Sequence, residues 1–449
     1  MKRNLTLVAA GAATAALLLS GCSTAAGSGG DASACSNTVV HPDAKLVDVW
    51  GWYTSFETVA DQFNETHDDL QVCWTNAGQG GDEYTKLKTS LAAGSGAPDV
   101  VQIEYDQLYS YTIGGSLVDL SEYGAADLES EFPAGTWNDV SYGGSVWGIP
   151  VDGGPMGVYY RKDLLAQAGI ETLPTTWEEF AADAQKYQAS GVEGTFVNFP
   201  LNGQAEIMGL TYQAGSSPFT YDPSDPTTVR VDLDNAEAEA VLDYWFGLAR
   251  SGAVGHDDAW TADNGAALAS GGFASYIGAS WSSSYLSGLS GASADAQWTV
   301  GPLPQWDASE PTAATWTAGA LAVTSQAEDK EAAAEVAQAL YRSEDALAAQ
   351  IESEVFPASV AGQSDPSFVD KPFPFYGDQQ LNKDVFVPAV QNYEGVQYSP
   401  FSAFLYSTMD AVLPAAFADG QSAADALASI QEQVVDYAEQ QGFTVTTGS

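Results

Sequence analysis

Aromatic and polar side chains stand directly after several segments of the sequence that have the composition of buried β-strands. In α/β sheets ligands bind beyond the carboxyl ends of the strands, so we expect these side chains to meet. Flat aromatic faces and hydrogen-bonding polar groups match the apolar C–H faces and the hydroxyl rim of a sugar ring. Arg and Lys, which an anionic ligand requires, are missing there, so the pattern predicts a site for a neutral sugar. The residues are Trp52 and Tyr53 after the first segment, Asn76 and Gln79 after the second, Glu104, Tyr105 and Asp106 after the third, Asp152 after Ile149-Pro150, and Trp281 after Ile277.

A structural role is the alternative for each of these side chains. Large aromatic residues are mostly buried for packing, so Trp281 and Trp316 can instead belong to a core or to an interface between lobes. Their small neighbours, Gly, Ala, Ser and Thr, favour a binding role. For Glu104 and Asp152, the alternative is a helix cap or an exposed charge.

The common sequence patterns of catalytic sites are missing. No lysine follows a glycine, which excludes a phosphate-binding loop of the Walker type. The three histidines stand far apart without the zinc-protease spacing, and no G-x-S-x-G nucleophile elbow occurs. We therefore expect a binding protein that is not an enzyme and holds neither a cofactor nor a metal. The alternative is a membrane-anchored surface glycosidase acting on oligosaccharides, because two of the 59 acidic residues could meet as a carboxylate pair.

The N-terminus has the pattern of a lipoprotein signal peptide. Lys2 and Arg3 precede an apolar run over residues 5–19, which is too short for a spanning helix, and Leu19-Ser20-Gly21-Cys22 forms a lipobox. We expect residues 1–21 to be cleaved and Cys22 to carry the lipid that holds the chain on the outer face of the cell membrane. Residues 22–44 then form a flexible tether. The alternative is an ordinary secretory signal with an incidental cysteine.

The charge and the other two cysteines are consistent with export. The formal net charge is −45, which repels nucleic acid and anionic lipid and keeps the protein soluble outside the cell. Cys35 and Cys73 remain after Cys22, and disulfides persist in an exported protein, so we expect them to pair. A buried free thiol at Cys73 is the alternative.

Strand and helix patterns alternate along the chain and predict an α/β fold with parallel sheets. Residues 46–52 form the first expected strand, and Thr54 with Glu57 predicts a capping box for the helix that follows. Thr176 and Glu179 predict a second capped helix, within a second α/β unit. About 400 mature residues suggest two or three domains or lobes.

Several motifs together resemble extracellular solute-binding protein family 1 of the ABC importers, the group that includes the maltose-binding proteins. The resemblance covers nearly the whole mature chain, and the second and third motifs, in their order and spacing, are specific. The motifs are Leu91-Ala92-Ala93-Gly94 to Ala97-Pro98-Asp99-Val100, Gly148-Ile149-Pro150-Val151-Asp152 with Tyr159-Tyr160-Arg161-Lys162-Asp163-Leu164-Leu165, Pro174-Thr175-Thr176-Trp177-Glu178-Glu179-Phe180, Tyr276-Ile277-Gly278-Ala279-Ser280-Trp281 and Trp316-Thr317-Ala318-Gly319-Ala320.

The resemblance implies a two-lobed, type II periplasmic-binding-protein-like fold, with mostly parallel sheets flanked by helices and a hinged cleft between the lobes. It places chain crossings near Asp152, Gly278 and Ser325. The first lobe is then 45–151 with 279–325, and the second lobe is 152–278 with 326–449. The family's ligand contacts map onto Trp52, Gln79, Tyr105, Asp152, Trp281 and Trp316, and further onto Gln204 and Tyr376.

The implied function is the capture of a neutral mono- or oligosaccharide and its delivery to separate ABC permease subunits. We expect a monomer that has no nucleic-acid partner and contacts the membrane through its lipid anchor. A surface adhesion lipoprotein is a third possibility. The departure from the maltose-binding pattern around Cys35 and Cys73 weakens any analogy to a specific sugar.

Overall fold

A computed structural model describes residues 35–222, 225–289, 297–316 and 318–448. Its strands are β1 (Lys45–Trp50), β2 (Leu70–Thr75), β3 (Val100–Glu104), β4 (Ser141–Tyr142), β5 (Ser145–Val146), β6 (Ile149–Pro150), β7 (Met156–Arg161), β8 (Thr195–Val197), β9 (Phe219–Asp222), β10 (Asp225–Val231), β11 (Phe273–Ala279), β12 (Trp298–Pro302), β13 (Gly319–Val323) and β14 (Thr444–Thr447).

The helices alternate with these strands over most of the chain. They are α1 (Phe56–Thr66), α2 (Gly81–Ala93), α3 (Tyr105–Ile113), α4 (Ala134–Val140), α5 (Lys162–Gln167), α6 (Trp177–Ser190), α7 (Gln204–Gln213), α8 (Ala236–Ser251), α9 (Ala262–Ser270), α10 (Ser282–Gly288), α11 (Lys330–Ala339), α12 (Glu344–Glu352), α13 (Val360–Ser364), α14 (Pro366–Val369), α15 (Val387–Gln391), α16 (Ser402–Ala418) and α17 (Ala423–Gln440).

The first lobe is built on a sheet with the strand order β2-β1-β3-β13-β6. Strand β1 runs parallel to β2 and β3, whereas β13 is antiparallel to both β3 and β6. Val49 and Val100 are register partners and are fully buried. Helices α1, α3 and α11 contact the strands of this sheet, and Val47, Val101 and Ile103 are buried in the core of the lobe.

The second lobe is built on a sheet with the order β12-β7-β11-β8 and on a small sheet with the order β14-β10-β9. Strand β7 is antiparallel to β11 and β12, and β11 is parallel to β8. Aromatic rings fill the core beside the larger sheet, where Phe199 stacks on Trp245 with ring centroids 4.4 Å apart. The two-lobed α/β fold is confirmed. Its sheets are mixed, because β7 and β13 join their sheets in antiparallel register.

The packing of two segments differs from the expected division into lobes. Strand β12 lies within the range 279–325 expected for the first lobe, but it pairs with β7 in the second. Helices α11 and α12 lie within 326–449, but they bury Ala333 and Ala346 in the core of the first lobe. The chain therefore crosses near Asp152, between β12 and β13, and after α12, rather than near Gly278 and Ser325. Strand pairing over long distances determines these crossings.

A disulfide bond joins Cys35 to Cys73 in β2, which confirms the expected pair. The Ser36 amide donates to the Trp74 carbonyl at 2.8 Å, and the Asn37 side chain accepts from the Trp74 amide at 2.8 Å. These bonds cover the outer edge of β2, which is the edge strand of its sheet. The start of the described chain thus protects an edge that would otherwise be open to pairing.

The two predicted helix caps have different outcomes. Thr176 Oγ1 accepts from the Glu179 amide at 3.2 Å, which confirms the cap of α6. The capping box predicted at Thr54 and Glu57 is wrong, because α1 begins after Ser55 without a side-chain cap. Thr54 Oγ1 instead donates to the Ser353 carbonyl at 3.4 Å.

The predicted signal peptide (1–21), the lipidation site Cys22 and the tether as far as residue 34 lie outside the described residues. Among the helices of the described ranges, none has the length and the apolarity needed to cross a membrane.

Candidate functional site

A cleft of about 1100 Å³ lies between the two lobes. Its wall includes residues that follow β1 and β3 in the first lobe and residues that follow β11 in the second. The structure thus brings together most of the residues that sequence reasoning selected for a ligand site. Those on the cleft wall are Trp52, Tyr53, Gln79, Glu104, Asp152, Gln204, Trp281 and Trp316.

A buried glutamine positions the aromatic pair after β1. Gln102 Oε1, in β3, accepts from the Trp52 amide at 2.8 Å and from the Tyr53 amide at 3.2 Å. The Trp52 ring meets Tyr84 edge to face, with centroids 5.9 Å apart. The Trp52 and Tyr53 amides lie beyond the end of β1, and Gln102 supplies the hydrogen-bond acceptor that the sheet no longer provides. The Trp52 indole is thereby held at the cleft wall.

Replacement of Gln102 by leucine is expected to lower the free energy of unfolding by about 2 kcal/mol and the ligand affinity about tenfold. Leucine has a similar size but leaves the Trp52 and Tyr53 amides without an acceptor. Urea denaturation and calorimetry measure the two effects. Gln433→Leu, at an exposed position of α17, is the control and should change neither value. Equal behaviour of the two variants would contradict this role of Gln102.

Asp152 lies at a chain crossing and bonds to residues of the first lobe. Its Oδ1 accepts from the Tyr53 hydroxyl at 2.7 Å and from the Gly319 amide at 2.6 Å. Its backbone carbonyl accepts from the Tyr105 hydroxyl at 2.9 Å. Burial raises the pKa of Asp152 to about 7, against the hydrogen bonds that favour its charged form. The carboxylate thus holds Tyr53 and the first residue of β13 in place.

Glu104 and Asp106 add two carboxyl groups to the first-lobe wall. Burial, together with nearby Asp106, raises the pKa of Glu104 to about 8. Glu104 Oε2 accepts from the Tyr84 hydroxyl at 3.0 Å, and Asp106 accepts from the Tyr406 hydroxyl at 2.6 Å. Lys88 of α2 also reaches this wall. Groups of this kind hydrogen-bond the hydroxyls of a polar, uncharged ligand.

Three indoles form the second-lobe wall. Trp281 and Trp316 meet edge to face with centroids 5.3 Å apart, and Trp281 Nε1 donates to the Trp316 carbonyl at 3.2 Å. Trp260 packs against both, at 6.0 Å from Trp281 and 6.1 Å from Trp316. Trp316 is only 6% exposed, whereas Trp260 is 55% exposed. Trp316 therefore supports the wall, and the other two rings offer the open surface.

Two predicted residues lie away from the cleft wall. The Tyr105 ring is buried in the core of the first lobe, and its hydroxyl reaches the backbone of Asp152. Tyr376 is buried in a small core of the second lobe, where its hydroxyl donates to the Ser283 carbonyl at 2.9 Å. Gln204 reaches the cleft, but its amide group donates to the Asp410 carboxylate.

Sequence reasoning missed several residues of the cleft because they do not follow a strand. Trp260 precedes helix α9, Tyr84 and Lys88 lie on α2, and Tyr406 lies on α16. For Trp260 a signal was present, since a large aromatic stands directly before the helix cap Thr261 in an otherwise polar segment. Within the described ranges, no group of three or more His, Cys, Asp or Glu side chains could hold a metal ion.

Solved structures similar in fold to this chain include sugar-binding proteins of ABC transporters. The ABC transporter associated binding protein from B. animalis subsp. lactis Bl-04, in complex with beta-1,6-galactobiose, is 25% identical with a TM-score of 0.76, covering 90% of this chain and 100% of that one. The galacto-N-biose-/lacto-N-biose I-binding protein from Bifidobacterium longum is 22% identical with a TM-score of 0.77, covering 90% and 99%. Because the second structure is only 22% identical, its similarity to this chain concerns the fold alone.

Proteins related in sequence include a transporter-binding protein and a lipoprotein. A probable ABC transporter-binding protein of Deinococcus radiodurans is 29% identical over 70% of this chain and 76% of its own length. An uncharacterized lipoprotein of Streptomyces antibioticus is 29% identical over 51% of this chain, and the match spans 49% of that lipoprotein. The profile of the bacterial extracellular solute-binding protein family matches residues 51–347, which is most of the chain. The chain therefore belongs to the family of bacterial extracellular solute-binding proteins.

Proposed function

We propose that this chain captures a neutral mono- or oligosaccharide in the cleft between its lobes and delivers it to the permease subunits of an ABC importer. The observation that carries the proposal is the composition of the cleft wall. Partly open indoles, Trp52 on one lobe and Trp281 on the other, face a cavity that also holds carboxyl and amide groups. Sugar rings need this combination of flat apolar faces and hydrogen-bonding partners.

The rest of the proposal concerns place and partners. The lipobox at Cys22 supports a lipid anchor on the outer face of the cell membrane, and a related protein of Streptomyces antibioticus is named a lipoprotein. A monomer with a closing cleft suits delivery, because only the liganded lobes present one paired surface to a permease. No reaction is needed for this role, and we propose none.

A thermal-shift screen over sugars tests the proposal. The panel includes β-1,6-galactobiose, lacto-N-biose, lactose and maltose, since relatives or structural neighbours are named for binding such sugars. A sugar present at 100 times its Kd should add about 2.7 kcal/mol to the free energy of unfolding. No shift with any sugar would contradict the proposal, and consumption of a sugar would favour the glycosidase alternative.

Replacement of Trp281 by alanine is expected to weaken binding of the sugar found in this screen roughly 30-fold, about 2 kcal/mol. The indole is fixed by its hydrogen bond to the Trp316 carbonyl, so its face is preorganised for stacking. Calorimetry measures the loss. The control is Trp306→Ala, because Trp306 is 37% exposed and packs on Tyr244 away from the cleft. Unchanged affinity in Trp281→Ala would remove this ring from the site.

A further inference from the structure

Trp260 has two unusual properties at once. Its side chain is 55% exposed although it is one of the largest apolar groups, and its backbone φ is 63°. The left-handed region is uncommon for residues other than glycine and is unfavourable for a bulky side chain. Strained residues of this kind persist only where the surrounding structure holds them, and they cluster at ligand-binding positions.

Hydrogen bonds hold the backbone on both sides of Trp260. The Ala259 amide donates to Asn202 Oδ1 at 2.9 Å. Thr261 Oγ1 accepts from the Asn264 amide at 3.1 Å and so caps helix α9. Two residues before Ala259, the Asp257 backbone exchanges two hydrogen bonds of 2.8 Å with the Asn198 side chain. The conformation of Trp260 is thus imposed by ordered neighbours.

The Trp260 ring stands outermost in the indole wall. It rests on Tyr285, with centroids 5.3 Å apart, and on Trp281 and Trp316 behind it. Trp281 already uses its N–H group on the Trp316 carbonyl. The exposed face of Trp260 borders the same cavity of about 1100 Å³, which is larger than the usual 300–1,000 Å³ range for a drug-sized ligand. One sugar ring on Trp281 leaves much of this space unfilled.

We propose that Trp260 is the stacking platform for a second ring, so that the ligand is an oligosaccharide of two or more rings. This inference rests on the proposed function and selects oligosaccharides from the wider class given there. One ring stacks on Trp281 in the inner part of the cleft, and the next ring covers the exposed face of Trp260. The ligand then removes from water the apolar surface that the free protein leaves open.

Calorimetry tests whether the affinity depends on the length of the sugar. The sugars compared are galactose and β-1,6-galactobiose, or glucose and maltose if the screen selects that pair. Trp260→Ala should weaken binding of the disaccharide about tenfold or more and change binding of the monosaccharide less than about twofold. Trp260→Phe keeps an aromatic face and should retain most of the disaccharide affinity. Trp281→Ala is the comparison variant and should weaken the binding of both the monosaccharide and the disaccharide.

Stability and quenching measurements separate a ligand platform from a structural role. Trp260→Gly relieves the left-handed backbone, so its melting temperature should stay within about 2 °C of the wild type while disaccharide binding weakens about as much as in Trp260→Ala. Acrylamide quenching of the wild-type fluorescence should fall when the disaccharide binds, and this change should be clearly smaller in Trp260→Phe, where only the less exposed indoles such as Trp281 remain to be shielded.

The outcomes distinguish the two levels of the proposal. If the wild type binds the disaccharide and Trp260→Ala binds it equally well, or loses both sugars equally, the second-ring platform is overturned and the proposed function stands. A wild type that binds no sugar overturns both. A loss confined to the disaccharide, with shielding of the exposed indole, supports the platform.

Discussion

Replacement of Asp152 by alanine is expected to lower the free energy of unfolding by about 3 kcal/mol and to weaken ligand binding by more than about 100-fold. Alanine leaves the Tyr53 hydroxyl and the Gly319 amide without the oxygen that both of them use. Each buried donor without a partner costs about 1–3 kcal/mol. Tyr53 also loses the bond that fixes its ring beside Trp52, so the first-lobe wall loses its shape.

The matched variant is Asp152→Asn, which keeps an oxygen at the same position. We expect it to retain most of the stability, because that oxygen can still accept from Tyr53 and Gly319. A Tyr53→Phe variant, alone and combined with Asp152→Ala, measures the coupling of the two side chains. Urea denaturation and calorimetry give the values. If alanine and asparagine destabilise the protein equally, the acceptor role of Asp152 is contradicted.

The local part of this site was predictable from the sequence because it depends on short-range patterns. An apolar run followed by aromatic and polar residues located Trp52, Tyr53 and Glu104 on the cleft wall. Asp152 was found in the same way, as the polar residue after Ile149-Pro150. In each case the strand fixes where the chain leaves the sheet, and the following residues must lie at the sheet edge where ligands bind.

The remaining differences arise from contacts between distant parts of the chain. Tyr105 directly follows the strand end but opens helix α3, and this turn directs its ring into the core. Tyr376 depends on the packing of residues 366–391 against β12, which no local pattern reveals. The chain crossings expected near Gly278 and Ser325 were misplaced for the same reason. Strands β12 and β13 pair with β7 and β3, which lie more than a hundred residues earlier in the chain.

Acidification from about pH 8 to about pH 5 is expected to stabilise the protein, because several buried carboxyl groups bind protons more tightly when it is folded. Burial raises the pKa of Glu83, Glu104 and Asp139 to about 8 and that of Asp152 to about 7. The unfolded chain has ordinary carboxyl pKa values near 4. The folded state therefore holds more protons between these values, and the stability that they contribute is lost as the pH rises through 7 to 8.

The contribution of one buried carboxyl group to this pH dependence can be measured at Glu83, on α2. Within the described residues neither of its buried carboxyl oxygens has a hydrogen-bond partner, so glutamine removes the charge without breaking a bond. Desolvation is the main cause of its raised pKa, and nearby Glu104 adds to it. At pH 8 we expect Glu83→Gln to be more stable than the wild type by about 4 kcal/mol, since the pKa differs by almost four units between the folded and unfolded states and one unit corresponds to about 1.4 kcal/mol. At pH 5 the difference should fall to about 1 kcal/mol.

Urea denaturation between pH 5 and pH 9 measures this difference directly. The control is Glu57→Gln, because Glu57 is exposed on α1 and its variant should follow the wild type at every pH. The comparison cancels the general repulsion of a chain with a net charge of −45, which acts on all three proteins almost equally. A Glu83→Gln curve parallel to that of the wild type would show that Glu83 does not titrate near pH 8. If the free energy of unfolding depends less on pH in Glu83→Gln than in the wild type and Glu57→Gln, the difference is assigned to the buried Glu83 carboxyl group.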